Sequence, residues 1–443
     1  MLPGVYINII AMIRNLFIIS ILVFFFASCS NKKTITNTSD YNFYLKEGLV
    51  ATAVEKINSE ITFWQQKLQS DTGSYVYMLE LASNYLRLFR TDGSIESLQK
   101  GDALLKRSSA KLNNADPEIL YSLSQNAIAQ HQFLQAASFS EAAENAKGDK
   151  YTIRLLEFDA NMELGRYKEA YTSLESLKDK TAFDYLIRKA KWEDHKGNLD
   201  AAIVLMEQAF AKVKDKKKSL YCWALSNLSD MYGHAGRIEE AYKGYLEVLE
   251  KDPANLYCLK GIAWIAYAHD NNTTEAKHIL EYILSQTSMP DLKLVLAQIA
   301  ETEGNEVEKK KLINEFVTTV TKPGYGDMYN KYLLEIYTEE FKDYDKAFAI
   351  AEKELKNRFT PETCDWMAWV YYNKGDIAKA MEFSKSYVHK LTFEPDATMH
   401  TAFIYAANGK KQEAKSLLQE CLESSFELGP VATKQIEEKL QTL

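Results

Sequence analysis

Proline and glycine are scarce, with 8 and 18 copies among 443 residues. That is too few to punctuate a sandwich or barrel, in which a turn recurs every few residues along the chain. Cationic charge is also short: 53 Lys and Arg stand against 61 Asp and Glu, a net charge of -8. No basic footprint exists for phosphate binding, so no nucleic-acid partner is expected. The one basic run, Lys212 to Lys218, includes Asp215 and lies between two helical patterns, as a solvated loop would. Five cysteines occur without a CxxC pair, which removes the usual zinc and dithiol motifs and points to Cys222, Cys258, Cys364 and Cys421 as buried free thiols. GxSxG, P-loop, HExxH and glycine-rich dinucleotide motifs are all missing. The loop Lys322 to Asp327 carries glycines without the spacing of a phosphate cradle. The chain therefore reads as a non-enzyme that needs no cofactor.

What is present is material for helices. Hydrophobic residues make up 46% of the chain and aromatics 12%, and Ala, Leu, Glu and Lys recur throughout. Near the start, Arg14 precedes an apolar run from Leu16 to Phe26 that only Ser20 interrupts, followed by Ala27, Ser28 and Cys29. A basic n-region, a short apolar core and small residues before a cut form an export signal, too short for a membrane span of about 20 residues. The segment Phe26 to Cys29 resembles a bacterial lipobox, with Phe26 in place of the usual leucine. That resemblance implies cleavage before Cys29, a lipid on Cys29, and a lipid-anchored place in the cell envelope, at the outer membrane, with the leaflet open. An uncleaved anchor, or a secreted protein with an incidental Cys29, are the alternatives, and Met12 is an alternative start. Ser30 to Asp40 is polar and without hydrophobic period, as in a flexible tether.

A repeat dominates the remainder. One unit runs through Trp223, Leu225, Leu228 and Tyr232, turns at Gly236, continues through Ala241, Tyr245, Val248 and Leu249, and ends at Pro253. Leu228 and Tyr232 share a helix face, Gly236 permits a tight turn, and Ala241 lets a second helix approach closely. The skeleton recurs at Gly165 with Ala170, Gly197 with Ala202, Gly375 with Ala380, and Gly409 with Ala414. Weaker copies carry Ala82, Ala136, Ala276 and Ala347. The glycine spacings approximate one or two multiples of a period of about 34 residues. This pattern resembles the tetratricopeptide repeat, which implies an all-α solenoid of helix–turn–helix units in a right-handed superhelix. The expected organisation is a signal peptide over 1–28, a tether over 29–42 and an N-terminal helical cap over 43–73. A repeat array of about nine or ten units over 74–424 and a C-terminal capping helix over 425–443 complete it.

By that resemblance, the first helix of each unit lines a concave face that binds a protein or peptide. The corresponding residues are Tyr257, Lys260, Trp264 and Tyr267 after Pro253, and Asp365, Trp369 and Tyr372 after Pro361, with Lys191 and Asp194 as further candidates. Exposed Trp and Tyr are favoured interface anchors; the alternative reading of the same aromatics is core. His131, His195, His234 and His269 fall near turns of separate repeats, and helices about 8–10 Å apart do not converge on a metal with bonds of about 2.1 Å. The Lys, Asn and Arg set of carboxylate-clamp repeats is not found. Taken together, these features predict a membrane-anchored interaction scaffold or assembly factor. The alternative is a glycan-binding lipoprotein resembling the SusD-like group, whose repeats carry long insertions that these short units lack.

Overall fold

The computed structural model describes residues 34–443. The expected signal peptide and the expected lipidation site at Cys29 fall outside them. Among the described residues there is no β-strand, and no helix is long and apolar enough to cross a membrane.

Among the described residues, twenty-two helices of seven residues or more follow one another. The first, α1 (Leu49–Ser70), packs on a series of ten pairs. These are α2 (Tyr75–Asp92) with α3 (Ile95–Lys111), α4 (Pro117–Ala129) with α5 (Phe133–Asn145), α6 (Lys150–Glu163) with α7 (Tyr167–Glu175), and α8 (Phe183–His195) with α9 (Leu199–Val213). Next come α10 (Lys218–His234) with α11 (Ile238–Lys251), α12 (Leu256–Trp264) with α13 (Thr273–Gln286), and α14 (Leu292–Thr302) with α15 (Glu306–Val320). The last three pairs are α16 (Asn330–Glu339) with α17 (Tyr344–Asn357), α18 (Pro361–Lys374) with α19 (Ile377–Phe383), and α20 (Pro395–Ala407) with α21 (Lys411–Glu423). Helix α22 (Ser425–Thr442) closes the chain. The fold is an all-α solenoid of tetratricopeptide-type helix pairs.

Local chemistry starts these helices. Asp116 caps α4 by accepting from the backbone N–H groups of Glu118 and Ile119, with Pro117 in the first turn. Thr360 and Thr363 form a reciprocal capping box at α18. An alanine in nine of the ten pairs then sets how closely the helices approach: Ala82, Ala136, Ala170, Ala202, Ala241, Ala276, Ala347, Ala380 and Ala414 are all 0% exposed. A larger side chain at any of them would overpack the pair, at a cost of about 1–3 kcal/mol.

The stack curls until successive turns of the superhelix touch. Gly165 lies against the carbonyl of Phe359, and Gly197 against the ring of Phe393; a Cβ there would sit 2.5 Å and 2.7 Å from those groups. Both glycines have positive φ, 73° and 77°, so they serve the helix–helix turn and the contact between turns at once. Further along the same seam, the N–H of Ser288 donates to the carbonyl of Asp92 at 2.7 Å. The paired positions are roughly 195 residues apart, just under six periods of about 34. Arg358 bridges the seam, stacked 4.9 Å from the Phe133 ring and 3.7 Å from Glu163.

Both ends of the described chain return to the middle of the stack. The N–H groups of Ile35 and Thr36 donate to the Asp270 carboxylate at 3.0 and 2.9 Å, and the Thr36 hydroxyl adds a bond of 2.6 Å. Tyr242 donates to Asp40, and Tyr41, fully buried, donates to Glu275 at 2.8 Å. From Ile35 onward, the segment expected to be a flexible tether over 29–42 is therefore docked. Its polar sequence gives no local sign of this, because every partner lies more than 200 residues away. At the other end, α22 kinks at Gly429 (φ 78°, ψ 173°) before Pro430. Its first turn reaches the inner surface formed by α10, α12 and α14.

Candidate functional site

The first helices of the repeats line the inside of the superhelix, and three adjoining cavities open there. One, of about 530 Å³, gathers Tyr257, Lys260 and Trp264 of α12 with Tyr332 of α16 and Phe426 of α22. Tyr257 is 54% exposed. Its hydroxyl donates to Asp230, which also accepts from Tyr245 at 2.5 Å. Burial pushes the Asp230 carboxyl up, and the two tyrosine donors temper the rise. Lys260 pairs with Asp291 at 2.5 Å. The indole N–H of Trp264 donates to the carbonyl of Phe426 at 2.9 Å, while Phe426 lies over Gly233 and Gly429 faces the Trp264 ring. A segment of the chain itself thus already sits against the half-buried Trp264.

The second cavity, of about 290 Å³, lies at the seam between superhelical turns, where α6 and α8 face α16, α18 and α20. Its lining is charged. Lys191 pairs with Glu163 at 2.7 Å, Lys331 with Asp396 at 2.9 Å, and His400 with Asp365 at 2.8 Å. Burial opposes the charge on His400, yet Asp365, Asp396 and Glu339 outweigh it and raise its pKa to about 8. Glu335 is pushed up to about 7 by burial, with Asp396 and Glu339 adding repulsion. Glu394 also rises to about 7, through burial and the nearby Glu427 and Glu362. Burial raises Asp194 as well, though His234 and His195 counter it. Carboxyl groups therefore outnumber the cationic side chains along this lining, and several of them hold their protons more tightly than usual.

Three residues expected to face the groove do not. Tyr267 is 0% exposed and bonds Thr302 at 2.8 Å. The cause is a π-helical turn, Ile265–His269, that continues α12; its wider winding rotates Tyr267 into the core. Trp369 is 8% exposed, donates to Glu339 at 2.6 Å, and is stacked between Tyr372 at 4.9 Å and His400 at 3.9 Å. Asp365 is 3% exposed beneath His400. Here the inner surfaces of neighbouring repeats cover each other, so residues on the concave side are nonetheless buried. Tyr372 stays half-buried beside Trp369, and Lys191 and Asp194 keep solvent contact.

Sequence reasoning missed Tyr332, Lys331 and Glu335 of α16, Asp396 and His400 of α20, and Phe426. The α16 residues belong to a weak repeat copy without a starting proline, but their helical spacing from Lys331 to Glu335 and Glu339 was available as a signal. Phe426 had none, because its partners are far away in sequence. Among the described residues no group of three or more His, Cys, Asp or Glu is arranged to hold a metal ion.

No protein-family model matches this sequence, and no curated protein matches it. Solved structures with related architecture include human IFIT1 in a dimer with PPP-AAAA, 14% identical over 70% of this chain and 71% of that one, with a TM-score of 0.44. The Cut9–Hcn1 hetero-tetramer of the APC/C is 12% identical over 85% of each chain, with a TM-score of 0.44. A tetratricopeptide repeat protein from Parabacteroides merdae is 17% identical over 58% of this chain and 97% of that one, with a TM-score of 0.34.

Proposed function

We propose that this chain is an exported, lipid-anchored repeat protein that binds a segment of another protein on its concave face and acts as a scaffold or assembly factor in the cell envelope. The observation that carries the binding half is the seating of Phe426 beside Trp264: this surface accepts the first turn of a helix, supplies a side-chain donor to its backbone, and still leaves a cavity of about 530 Å³ with Tyr257 exposed. A half-exposed tyrosine beside a lysine at a cavity mouth is the kind of anchor that protein interfaces use. Support for the anchoring half is the apolar run ending in Ala27, Ser28 and Cys29.

Two experiments test the reading. Metabolic labelling with a fatty-acid analogue is expected to mark the full chain and to fail for Cys29→Ala; equal labelling of both removes the lipid anchor. Cross-linking in intact cells followed by affinity purification is expected to recover a discrete protein partner that Tyr257→Ala together with Lys260→Glu loses. Recovery unchanged by that pair of substitutions counts against binding on this face.

A further inference from the structure

We infer that one open edge of the stack, at the turns α12–α13, α14–α15 and α16–α17, rests on a lipid bilayer and is held there by the docked N-terminal segment. The inference rests on the reading that the chain is anchored through Cys29, and names the surface that the anchor brings to the membrane.

The reach of the anchor is short. Asp270, whose side chain is fully buried, holds Ile35 and Thr36 through bonds of 3.0, 2.9 and 2.6 Å. Only six residues lead from Cys29 to Ile35, and six extended residues span at most about 20 Å. A tether left undocked over 29–42 would reach about 45 Å. Asp270 stands in the turn between α12 and α13, so an anchor at Cys29 keeps that turn within about 20 Å of the bilayer surface.

The turns beside it form an uncovered edge. A Cβ at Gly165 or Gly197 would strike the next superhelical turn, whereas at Gly236 and Gly304 it meets nothing within 4 Å. Gly304 belongs to the α14–α15 turn, which Glu303 ties to Lys277 near the start of α13 at 2.8 Å. Lys309, 2.8 Å from both Glu301 and Glu340, ties it in the same way to the α16–α17 turn. These two neighbouring turns carry Val307 and Phe341. Val307, at 81%, is the most exposed large apolar side chain among the described residues, and Phe341 is 40% exposed. Apolar tips beside a lipid attachment suit the boundary between head groups and acyl chains. Charge narrows the kind of contact. Glu306 and Glu308 flank Val307, and Lys310, Lys311 and Lys342 lie close by in sequence. Neither sign prevails, so the contact is apolar and does not depend on anionic head groups.

Nitroxide quenching tests the inference. The full chain is expressed in cells, extracted with the anchor it carries, and reconstituted into phosphatidylcholine vesicles that contain a lipid with a nitroxide on its head group. A fluorophore is attached at Val307→Cys, Phe341→Cys or Val76→Cys. Val76 is 46% exposed at the start of a first helix, on the opposite edge of the stack. Cys222, Cys258, Cys364 and Cys421 are buried, and the unsubstituted chain supplies the background. Quenching at 307 and 341 is expected to exceed that at 76 at least threefold. Insertion of ten Gly and Ser residues after Ser30 lengthens the reach without altering the folded body, and is expected to halve the quenching at 307. Quenching at 307 and 341 no greater than at 76, with the chain still floating with the vesicles, overturns the edge contact and leaves the lipid anchor standing. Quenching that the insertion does not change overturns the holding role of the docked segment. A chain that fails to float with vesicles removes the anchor and this inference together, so the two failures are told apart.

Discussion

The cavity beside Trp264 and the cavity beside His400 are built from the same element, the first helix of a repeat, yet they differ in chemistry and in what fills them. Around Trp264 the lining is aromatic, and the first turn of α22 enters it through Phe426. Around His400 the aromatic residue, Trp369, is buried behind the imidazole on which it stacks, and charged side chains face the space. The backbone geometry of the repeat does not decide which outcome occurs. Curvature does: where neighbouring repeats close on each other, inner residues such as Trp369 are covered, and where one superhelical turn meets the next, charges from distant helices converge; where there is room, an aromatic stays accessible to a peptide.

The contrast can be broken first at the two tryptophans. Trp369→Ala is expected to cost about 3–5 kcal/mol, because it removes a buried ring stacked on both sides and strips Glu339 of its donor. Trp264→Ala is expected to cost about 1–2 kcal/mol, since its half-buried ring gives up less area and one hydrogen bond. Guanidinium unfolding followed by circular dichroism measures both, and equal costs would erase the distinction between wall and anchor.

Next in size is the seam. Gly197→Val forces a β-branched residue into positive φ and into the Phe393 ring, with an expected loss of about 2–3 kcal/mol. Gly236→Val shares the backbone strain but meets nothing within 4 Å, so its smaller loss isolates the contact between turns. Identical melting temperatures for the two variants would mean that the turns do not support each other.

Acidity gives a third comparison. Glu335 and Glu394 rise from 4.5 to about 7, so the folded chain holds protons that the unfolded chain releases, and stability falls as pH rises across that window. His400 rises from 6.5 to about 8; its contribution is complete below 6.5 and is lost as pH passes 8. All three act in one direction, so the melting temperature is expected to decline between pH 5.5 and 8.5, with Glu335→Gln flattening the lower part of that slope. A melting temperature that climbs through this range would show the seam carboxylates to be stabilised as anions. The smallest effect belongs to the aromatic cavity: Lys260→Ala breaks a partly exposed pair and is expected to change stability by about 0–1 kcal/mol.

Much of the fold was legible because helix pairs are written in local spacing. The buried alanines and the turn glycines lie within one period of each other, and each reports on its own pair. The candidate site was legible only in part. Tyr257, Lys260 and Trp264 share a helix and a cavity, whereas Tyr267 was displaced by a π-helical turn that no residue in Ile265–His269 announces. The docking of Ile35 on Asp270, the entry of Phe426 and the meeting of Asp194 with Glu394 depend on contacts about 160 to 235 residues apart, set by how far the superhelix curls. Such curvature accumulates from small rotations at every repeat and leaves no motif.

The central claim is that the inner surface is the working surface. A photo-reactive phenylalanine analogue placed at Tyr257, inside, and at Lys243, on the exposed side of α11, tests it most directly in living cells. The account predicts a discrete cross-linked partner from position 257 and none from position 243. A partner captured from position 243 alone, or equally from both, would contradict it.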